Sequence, residues 1–436
     1  MKNFIRNSIY NGIGFVVPIL IALFTTPYIV YKLTPEIYGI YVLSTSLMGL
    51  LSFLDLGFGQ GIIKFISQNE AIHNYDKINK IITTSLVLYI VIGLLGCTLI
   101  WFLSDFLAKN VFKVSEEYIS TASLAFKIIA FGFLLNFING VFSNIPQALQ
   151  RYDILVKIKT GIWLCFTLST VGLLYFGKGL IEVLYSYIFF QLTSLVIFYN
   201  LSRKMLPRFK LTLKSDRSIF KEIFNFSIFI SLTNIFSNIV FRVDKMIIGA
   251  FLGVEQVTYY QVAFWMCYTA NSFISAVMQH LYPTISYLKS INDLKKIKDI
   301  FIKYTRFCFA ISVMINVIMV TSGVTILGIW MGNDFAQKTG LVIPILSTVF
   351  FLMSVGGTLV PLVNGIGMPQ LNAFSALLGS TFYLLVAGIV AKQLGLNGVA
   401  LSFAFVLVPY PIYFYKIFKI INLEHYWIYK TYIKSV

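Results

Sequence analysis

The amino-acid sequence predicts an all-α integral membrane protein with about twelve transmembrane helices. Hydrophobic residues make up 58% of the 436 positions, and the mean hydropathy is +0.82. Long apolar runs also recur from one end of the chain to the other. A helix that spans a bilayer needs about 20 mainly apolar residues, because every backbone N–H and C=O must be bonded within the segment. This composition excludes the soluble domains that the length alone would suggest.

The apolar runs give the predicted helices in chain order. They lie at about 8–30, 38–63, 81–103, 119–146, 160–176, 180–200, 223–250, 257–285, 307–330, 340–363, 371–391 and 398–418. Lys2 and Arg6 precede the first run, as in a secretory signal peptide. The run is too long for the apolar region of such a peptide and lacks a small-residue cleavage site, so we predict a retained first helix.

The longest hydrophilic stretch divides the chain near its midpoint. The predicted parts are an N-terminal six-helix lobe at 1–200, a basic cytoplasmic linker at 201–222, a C-terminal six-helix lobe at 223–420 and a cytoplasmic tail at 421–436. Many transporters consist of two similar halves that move about a central site. A shift of 219 positions places Leu33, Glu36 and Tyr41 on Leu252, Glu255 and Tyr260. Chance explains these three identities nearly as well as duplication does.

The net charge of +17 would suit a nucleic-acid partner, but the distribution of the 34 Lys and Arg residues indicates a membrane instead. If the N-terminus lies inside, the inner segments carry 25 of them and the outer loops carry six. Because basic residues are retained on the cytoplasmic side, this asymmetry predicts that both termini are cytoplasmic. We expect no nucleic acid as a partner.

The sequence also argues against catalysis. The longest outer loop, about 104–118, is too short to hold the acceptor and carboxylates of a membrane polymerase, and no phosphate-binding glycine loop is present. The four cysteines lie in or at the ends of apolar runs and the histidines are scattered, so we expect no metal site, disulfide framework or cofactor. Transport energy would come from a gradient or a partner, and the sequence does not identify Na⁺ or H⁺ as the coupling ion.

Three motifs resemble those of a known family. The end of the second run reads Leu54-Asp55-Leu56-Gly57-Phe58-Gly59. Gln147-Ala148-Leu149-Gln150-Arg151-Tyr152 follows the fourth run, and Arg242-Val243-Asp244-Lys245-Met246-Ile247-Ile248-Gly249 lies in the seventh. With the division into six and six helices, the chain resembles the Wzx-type flippases of polysaccharide repeat units (O-antigen or capsule), which belong to the multidrug/oligosaccharidyl-lipid/polysaccharide export superfamily.

The resemblance implies a V-shaped, MATE-like pair of six-helix lobes. It also implies alternating-access transport of an undecaprenyl-pyrophosphate-linked oligosaccharide from the inner to the outer leaflet of the bacterial inner membrane, during surface polysaccharide or lipopolysaccharide biosynthesis. The implied partners are the lipid-linked oligosaccharide, membrane lipids, a polysaccharide polymerase and chain-length proteins. One departure is the inner loop 364–370, which has no basic residue, so the second-half equivalent of Arg151 is in doubt.

Charges at membrane depth are the first candidates for a transport site, because they are costly unless they face a cavity or a partner. Arg242 and Lys245 are three positions apart and are expected to share a helix face that binds a diphosphate or an acidic sugar. Asp244 is expected to pair with Lys245 or with a neighbouring helix. For Lys127, two positions are about equally expected: its side chain lines the cavity, or it extends to the membrane interface.

Asp55 and Arg151 complete the candidate residues. Asp55 lies near a helix end, where a role in packing or gating is expected. Arg151 lies in the short inner loop after the fourth helix and is a candidate for an ion pair or a gate. Glu182, also near a helix end, is expected to reach the interface.

Other functions remain open on the sequence alone. The runner-up is a small-molecule or multidrug exporter of the same superfamily, although basic candidate helices favour an anionic substrate. A major-facilitator transporter is disfavoured because the loop after the second helix contains only Lys64, Lys77 and Lys80 as basic residues. A membrane polymerase or acyltransferase is disfavoured by the short outer loops. The sequence names neither the sugar, nor the type of polymer, nor the oligomeric state.

Overall fold

The computed structural model describes residues 2–55, 57–211, 216–278, 281–291 and 293–420. All regular structure in these residues is helical, which confirms the predicted all-α class. The helices are α1 (Lys2–Leu33), α2 (Pro35–Leu51), α3 (Phe58–Ala71), α4 (Tyr75–Phe106), α5 (Ile119–Ala148), α6 (Tyr152–Tyr175), α7 (Leu180–Met205), α8 (Arg217–Phe251), α9 (Val254–Met278), α10 (Leu281–Ser290), α11 (Leu294–Met331), α12 (Asn333–Thr339), α13 (Val342–Gly357), α14 (Leu359–Gly365), α15 (Pro369–Ser402) and α16 (Tyr410–Ile420).

The helices account for the predicted membrane crossings. Within the described residues, nine helical spans are long and apolar enough to cross a membrane. The last of them, Pro369–Lys419, has 51 residues, more than twice the roughly 20 that one crossing needs. Helices α8 and α9 coincide with two further predicted runs. The chain is therefore a multi-pass membrane protein, with a crossing number close to the predicted twelve.

Several predicted runs consist of two shorter helices. The run at 38–63 divides into α2 and α3, and the run at 340–363 divides into α13 and α14. Near its end, α15 bends at Gly395, whose φ of 60° is unfavourable for residues that carry a Cβ. Hydropathy does not detect the first two breaks, because the residues on both sides of each are apolar, whereas the bend at Gly395 lies between the predicted runs 371–391 and 398–418.

The structure divides into two compact units. The first contains Met1–Ile235 with Gly253–Glu255, and the second contains the described parts of Phe236–Leu252 and Gln256–Val436. In the first unit, α5 is the central helix and packs against α4 and α7. In the second unit, one apolar cluster joins residues of α10, α11, α14 and α16 around the buried side chain of Phe301.

The 219-residue shift recurs in the helix boundaries. The chain enters α2 at Pro35 and α9 at Val254, which is 219 positions later. The N-caps of α4 and α11, Asn74 and Asp293, are separated by the same interval. Each accepts a hydrogen bond from the backbone N–H three residues on, at 3.1 Å and 2.9 Å respectively. Matching boundaries and matching caps favour duplication over chance.

The predicted linker at 201–222 is shorter than expected. Helix α7 continues to Met205 and α8 begins at Arg217, so both ends of the predicted linker are helical. The described part between them packs on the start of α4, where Asn79 Nδ2 donates to the carbonyl of Arg208 at 2.9 Å. The ion pair between Lys77 and Glu222, at 3.2 Å, adds to this contact. The predicted tail at 421–436 lies outside the described residues.

Candidate functional site

The Leu-Asp-Leu-Gly segment forms the break between α2 and α3. A short 3₁₀ turn, Ser52–Asp55, ends in the aspartate, and Gly57 follows with a φ of 68°. The Asp55 carboxylate accepts hydrogen bonds from the Tyr89 hydroxyl of α4 and from the backbone N–H groups of Gly57 and Gly59. These bonds satisfy donors that the break would otherwise leave unpaired. In this structure Asp55 is placed to hold a broken membrane helix, which suits the packing role expected for it.

Asp244 and Lys245 form a buried ion pair on α8. Asp244 is 0% exposed and Lys245 is 4% exposed, and Lys245 Nζ lies 2.9 Å from Asp244 Oδ2. The same ammonium donates to the carbonyl of Phe241 at 2.9 Å and lies 3.9 Å from the centre of the Phe264 ring. The expected pairing of Asp244 with Lys245 is confirmed.

This burial corrects the predicted binding face. The prediction places Lys245 with Arg242 on one anion-binding face of the central cavity, but its ammonium group turns back toward the Phe241 carbonyl and the Asp244 carboxylate. The physical reason is that a desolvated cation takes the nearest anion, and the adjacent residue supplies one. Arg242 is exposed, and no acidic partner contacts it among the described side chains. Arg242, unlike Lys245, therefore has no acidic partner among the described residues.

Lys127 lies at the edge of its lobe and not deep within it. Its ammonium is 3.3 Å from Asp105 Oδ2 at the end of α4, and its side chain is 28% exposed. Ser123 Oγ donates to the same carboxylate at 2.5 Å. These residues border a cavity of about 700 Å³ next to the 104–118 loop. The side chain therefore reaches a helix end and borders a cavity next to the 104–118 loop, and a place for Lys127 in the transport cavity stays a prediction.

Arg151 is paired with Asp153 at the start of α6. Its Nε is 3.1 Å from Asp153 Oδ1, and its Nη2 is 3.3 Å from the other oxygen. The bidentate hydrogen bonds raise the pKa of the Arg151 guanidinium. The expected ion pair is therefore present, and a gating role stays a prediction.

The turn at Arg151 has a counterpart in the second half. The N–H of Arg151 donates to the carbonyl of Pro146 at 2.8 Å, and the N–H of Met368 donates in the same way to Val363 at 3.0 Å. Preceding them, Gln150 and Gly367 both have positive φ, at 57° and 87°. Methionine therefore occupies the position that corresponds to Arg151, which agrees with the absence of a basic residue from that loop.

The first unit contains a polar cavity that sequence reasoning did not identify. Its volume is about 390 Å³, within the range of about 300–1,000 Å³ that is usual for small-molecule sites. Faces of α5, α6 and α7 line it: Asn136, Asn139, Gly140, Ser143, Asn144, Lys159, Ile162, Trp163, Phe166, Tyr187, Phe190, Gln191 and Ser194. We call it the α5–α7 cavity. Amides, aromatic rings and one lysine are its main chemical groups.

Part of the lining is fixed by internal hydrogen bonds. Asn139 Nδ2 donates to Gln191 Oε1 at 3.2 Å and to Ser194 Oγ at 2.7 Å. Gln191 in turn donates to the Tyr187 hydroxyl at 2.8 Å. The Phe166 ring packs edge-on against Tyr187, with centroids 5.7 Å apart. This network joins α5, α6 and α7 into a rigid wall of the cavity.

Other groups in the lining of the α5–α7 cavity have no partner among the described residues. Within the described part of the chain, the side chains of Asn136, Asn144 and Lys159 have no hydrogen bond or ion pair with another residue. Lys159 lies seven residues beyond the start of α6, about 10 Å along the helix. The structure thus places a lysine with a free ammonium group beside two free amides.

The signal for this cavity was present in the sequence. Lys159, Ile162, Trp163 and Phe166 follow the i, i+3, i+4, i+7 spacing of one helix face. The fifth predicted run begins at 160 and so assigns Lys159 to the inner loop. Only the continuation of α6 back to Tyr152 places this lysine within a helix.

The second unit has a cavity of different character. It measures about 690 Å³ and is bordered by aromatic and other apolar residues, including Tyr268, Phe350, Met353 and Tyr410. Asn271, Ser354 and Asn364 supply polar groups, and its described lining contains no charged residue. The two cavities therefore differ in charge, since Lys159 lines the first and no described charged residue lines the second.

Comparison with known proteins identifies the family. A model of the family described as polysaccharide biosynthesis protein matches residues 32–339, more than half of the chain. The chain belongs to this family. The predicted resemblance to polysaccharide flippases of the multidrug/oligosaccharidyl-lipid/polysaccharide export superfamily is thereby confirmed at the family level.

A relative of this polysaccharide biosynthesis protein is named as a transporter. The "Putative O-antigen transporter" of Shigella flexneri is 23% identical over 404 residues, which cover 92% of this chain and 94% of the relative. The chain therefore matches a transporter along nearly its whole length. Family and relative indicate a transporter and not an enzyme class.

Solved structures of MOP-superfamily transporters have the same fold. An inward-facing multidrug-resistance MATE family transporter superposes with a TM-score of 0.76 at 15% identity, covering 93% of this chain and 96% of that one. An outward-facing MATE family transporter gives 0.67 at 16% identity over 97% and 96% of the two chains. A MOP-superfamily transporter from Pyrococcus furiosus gives 0.69 at 16% identity over the same shares. The polysaccharide biosynthesis protein therefore has the MATE-type fold.

Proposed function

We propose that this protein is a flippase for a lipid-linked oligosaccharide. It moves an undecaprenyl-pyrophosphate-linked repeat unit from the cytoplasmic to the outer leaflet of a bacterial inner membrane by alternating access, with both termini cytoplasmic. The observation that carries the proposal is the α5–α7 cavity in a member of a polysaccharide biosynthesis family. Amides and aromatic rings inside a membrane lobe suit a glycan, and the free ammonium of Lys159 suits an anionic one.

Chemistry at the bound substrate is confined to binding and movement. The lining of the α5–α7 cavity contains no histidine, cysteine or carboxylate among its described residues. The described lining therefore lacks the paired carboxylates that glycosidic chemistry usually employs. The repeat unit leaves with the same covalent structure with which it entered, and a polysaccharide polymerase with chain-length proteins would act on it afterwards.

The second candidate is export of a small molecule or drug. The observation that favours it is the fold, because the similar solved structures include multidrug-resistance transporters. A cationic drug would need an acidic group in its site, whereas Lys159 is the one charged residue among the described residues of the α5–α7 lining. The cavity thus favours the glycan.

The test is deletion of the gene in the source bacterium, with surface polymer and the intracellular lipid-linked pool measured together. We expect the deletion to remove surface polymer and to raise the inner pool of single repeat units. The wild-type gene and Lys178→Gln, which changes an exposed loop lysine, should both restore export. Lys159→Gln should restore it only in part. Normal surface polymer in the deletion strain, together with new drug sensitivity, would replace the flippase with the drug exporter.

A further inference from the structure

We propose that the α5–α7 cavity recognises the sugar portion of the transported repeat unit and thereby selects which repeat units are exported. In this site Trp163 stacks against one sugar ring, Asn136 and Asn144 hydrogen-bond its polar substituents, and Lys159 pairs with an acidic group next to that ring. The inference rests on the proposed function and deepens it, because it assigns substrate recognition to four named side chains.

The argument begins with the amides. Asn139 and Gln191 are occupied by Ser194 and by the Tyr187 hydroxyl, so they serve as structure. Asn136 and Asn144 have no such partners among the described residues. Asn136 is exposed and Asn144 is half-buried in the lining of the cavity, so both amides are available to water or a ligand. They are eight positions apart on α5, about two turns, and so point to one side of the helix.

Among the described residues, the aromatic side chains of the cavity also divide into those with a ring partner and one without. Phe166 is engaged by Tyr187, at 5.7 Å between ring centroids, and by Phe190, at 6.3 Å. Trp163 lines the same cavity but has no ring partner within the part of the chain that the structure describes. The apolar face of a sugar ring presents C–H groups, and indole offers the largest aromatic face for such a contact. Trp163 is thus the free aromatic surface of the cavity.

Lys159 adds a charge at a defined place. It precedes Trp163 by four positions, so the ammonium and the indole lie one helical turn apart on the same face of α6. A cation at membrane depth without an anion is costly, so the site is incomplete without an acidic ligand or water. A carboxylate on the sugar and the diphosphate of the lipid carrier share this chemistry, and an experiment separates the two sources.

The arrangement predicts selection among repeat units. Amides and an aromatic face respond to the positions of hydroxyl and acetamido groups, because a missing or displaced substituent leaves an amide without its hydrogen-bond partner. A cavity that only held water would tolerate many sugars equally. The four residues therefore should change which repeat units are carried more than whether any is carried.

Binding to the purified full-length protein in lipid nanodiscs tests the site. One probe is the lipid-free oligosaccharide released by mild acid from the lipid-linked pool of the source cells, and the other is inorganic pyrophosphate. We expect the wild type to bind the oligosaccharide, and Trp163→Ala and Asn136→Ala/Asn144→Ala each to weaken binding about tenfold, as for the loss of one good contact. Trp163→Phe should retain part of the affinity, and Trp101→Ala, on the exposed surface of α4, should leave it unchanged.

The Lys159→Gln variant identifies the anionic group. If only oligosaccharide binding falls, the ammonium meets an acidic sugar. If pyrophosphate binding falls, it meets the diphosphate. Unchanged binding of both probes would remove Lys159 from the site, and absence of oligosaccharide binding by the wild type would overturn the whole subsite.

Flipping assays distinguish failure of this inference from failure of the proposed function. Wild-type protein in liposomes should flip the native lipid-linked repeat unit, and if it flips none, the flippase proposal itself fails. The second assay substrate is a repeat unit of different sugar composition. If the wild type flips the native unit, and Trp163→Ala and Asn136→Ala/Asn144→Ala flip both substrates at the wild-type rates, only the recognition site is refuted. Melting temperatures close to that of the wild type exclude misfolding as the cause of any loss.

Discussion

Lys245 and Lys159 are both lysines within helices of a membrane lobe, yet their neighbours differ completely. Lys245 lies against the Asp244 carboxylate, a backbone carbonyl and the Phe264 ring, so each face of its ammonium group is occupied. Lys159 faces the α5–α7 cavity without an anion from the described residues. The first lysine therefore serves to neutralise a buried acid, and the second is free to meet a substrate.

The buried pair leads to a prediction about stability. Lys245→Met should lower the free energy of unfolding by about 3–5 kcal/mol, because it leaves the Asp244 carboxylate buried without a counter-ion. The double variant Asp244→Asn/Lys245→Met should lose much less, since neither charge remains. Thermal unfolding in detergent measures both variants, with Lys178→Met as the exposed control. Equal losses in the single and double variants would show that the pair is not the source of the stability.

At the scale of elements, the break between α2 and α3 explains why the Leu-Asp-Leu-Gly segment has the residues that it has. Gly57 supplies the left-handed φ of 68°, and Asp55 accepts the N–H groups that the interrupted helix leaves unpaired. Tyr89 ties the same carboxylate to α4. A short sequence motif thus encodes a fixed bend within one predicted membrane run.

A glycine substitution tests this account of the break. Gly57→Ala should destabilise the protein by about 1–2 kcal/mol, because a Cβ disfavours the left-handed backbone. The control is Gly172→Ala in α6, where a new Cβ would contact nothing within 4 Å and should be neutral or stabilising. Melting temperatures of the two variants give the comparison. A Gly57→Ala variant as stable as the control would mean that the bend does not need glycine.

The linker offers an element whose docking depends on pH. Ser218 donates hydrogen bonds to Asp216 through its hydroxyl and its backbone N–H, and Lys80 lies 3.9 Å away. The hydrogen bonds of Ser218 lower the pKa of Asp216 below its usual 3.8. Because the pKa of Asp216 is lower in the folded protein than in the unfolded chain, its ionised carboxylate stabilises the docked linker fully at pH values above 3.8. This stabilisation is lost as the pH falls through the folded-state pKa.

A spin label in the linker measures that loss. In a variant whose four native cysteines are replaced by alanine, a label at Leu211→Cys should be immobile at neutral pH and become mobile below about pH 4. Adding Asp216→Asn should remove the pH dependence. Identical titration curves with and without Asp216→Asn would assign the change to another group.

At the scale of the whole chain, two halves with a common plan form one transporter. The starts of α2 and α9 are 219 residues apart, and the N-caps of α4 and α11 are separated by the same interval. The halves have nonetheless diverged, since Met368 stands where the first half has Arg151 and the second unit's cavity lacks a charged lining residue. The matching intervals thus favour duplication of one helical plan, and the cavities of the two units now have different linings.

Topology is the prediction that belongs to this scale. The excess of basic residues in alternate loops predicts a cytoplasmic linker, so a cysteine at Lys204 should resist a membrane-impermeant thiol reagent in intact cells and react in inside-out vesicles. A cysteine at Lys178, in a loop on the opposite side, should show the reverse pattern. Labelling of Lys204→Cys in intact cells would invert the proposed orientation and the direction of transport.

The sequence by itself determined the class of the protein, because hydropathy and charge distribution are local properties that a bilayer reads segment by segment. It also contained the motifs that led to the family, and it predicted the pairing of Asp244 with Lys245. It did not show that Lys245 is enclosed or that Lys159 is open to a cavity, because both depend on side chains brought in from helices distant in the chain. Phe264 of α9 covers the first lysine, while α5 and α7 leave a space beside the second. Packing between helices therefore decided which of the charges within the helices can meet a substrate.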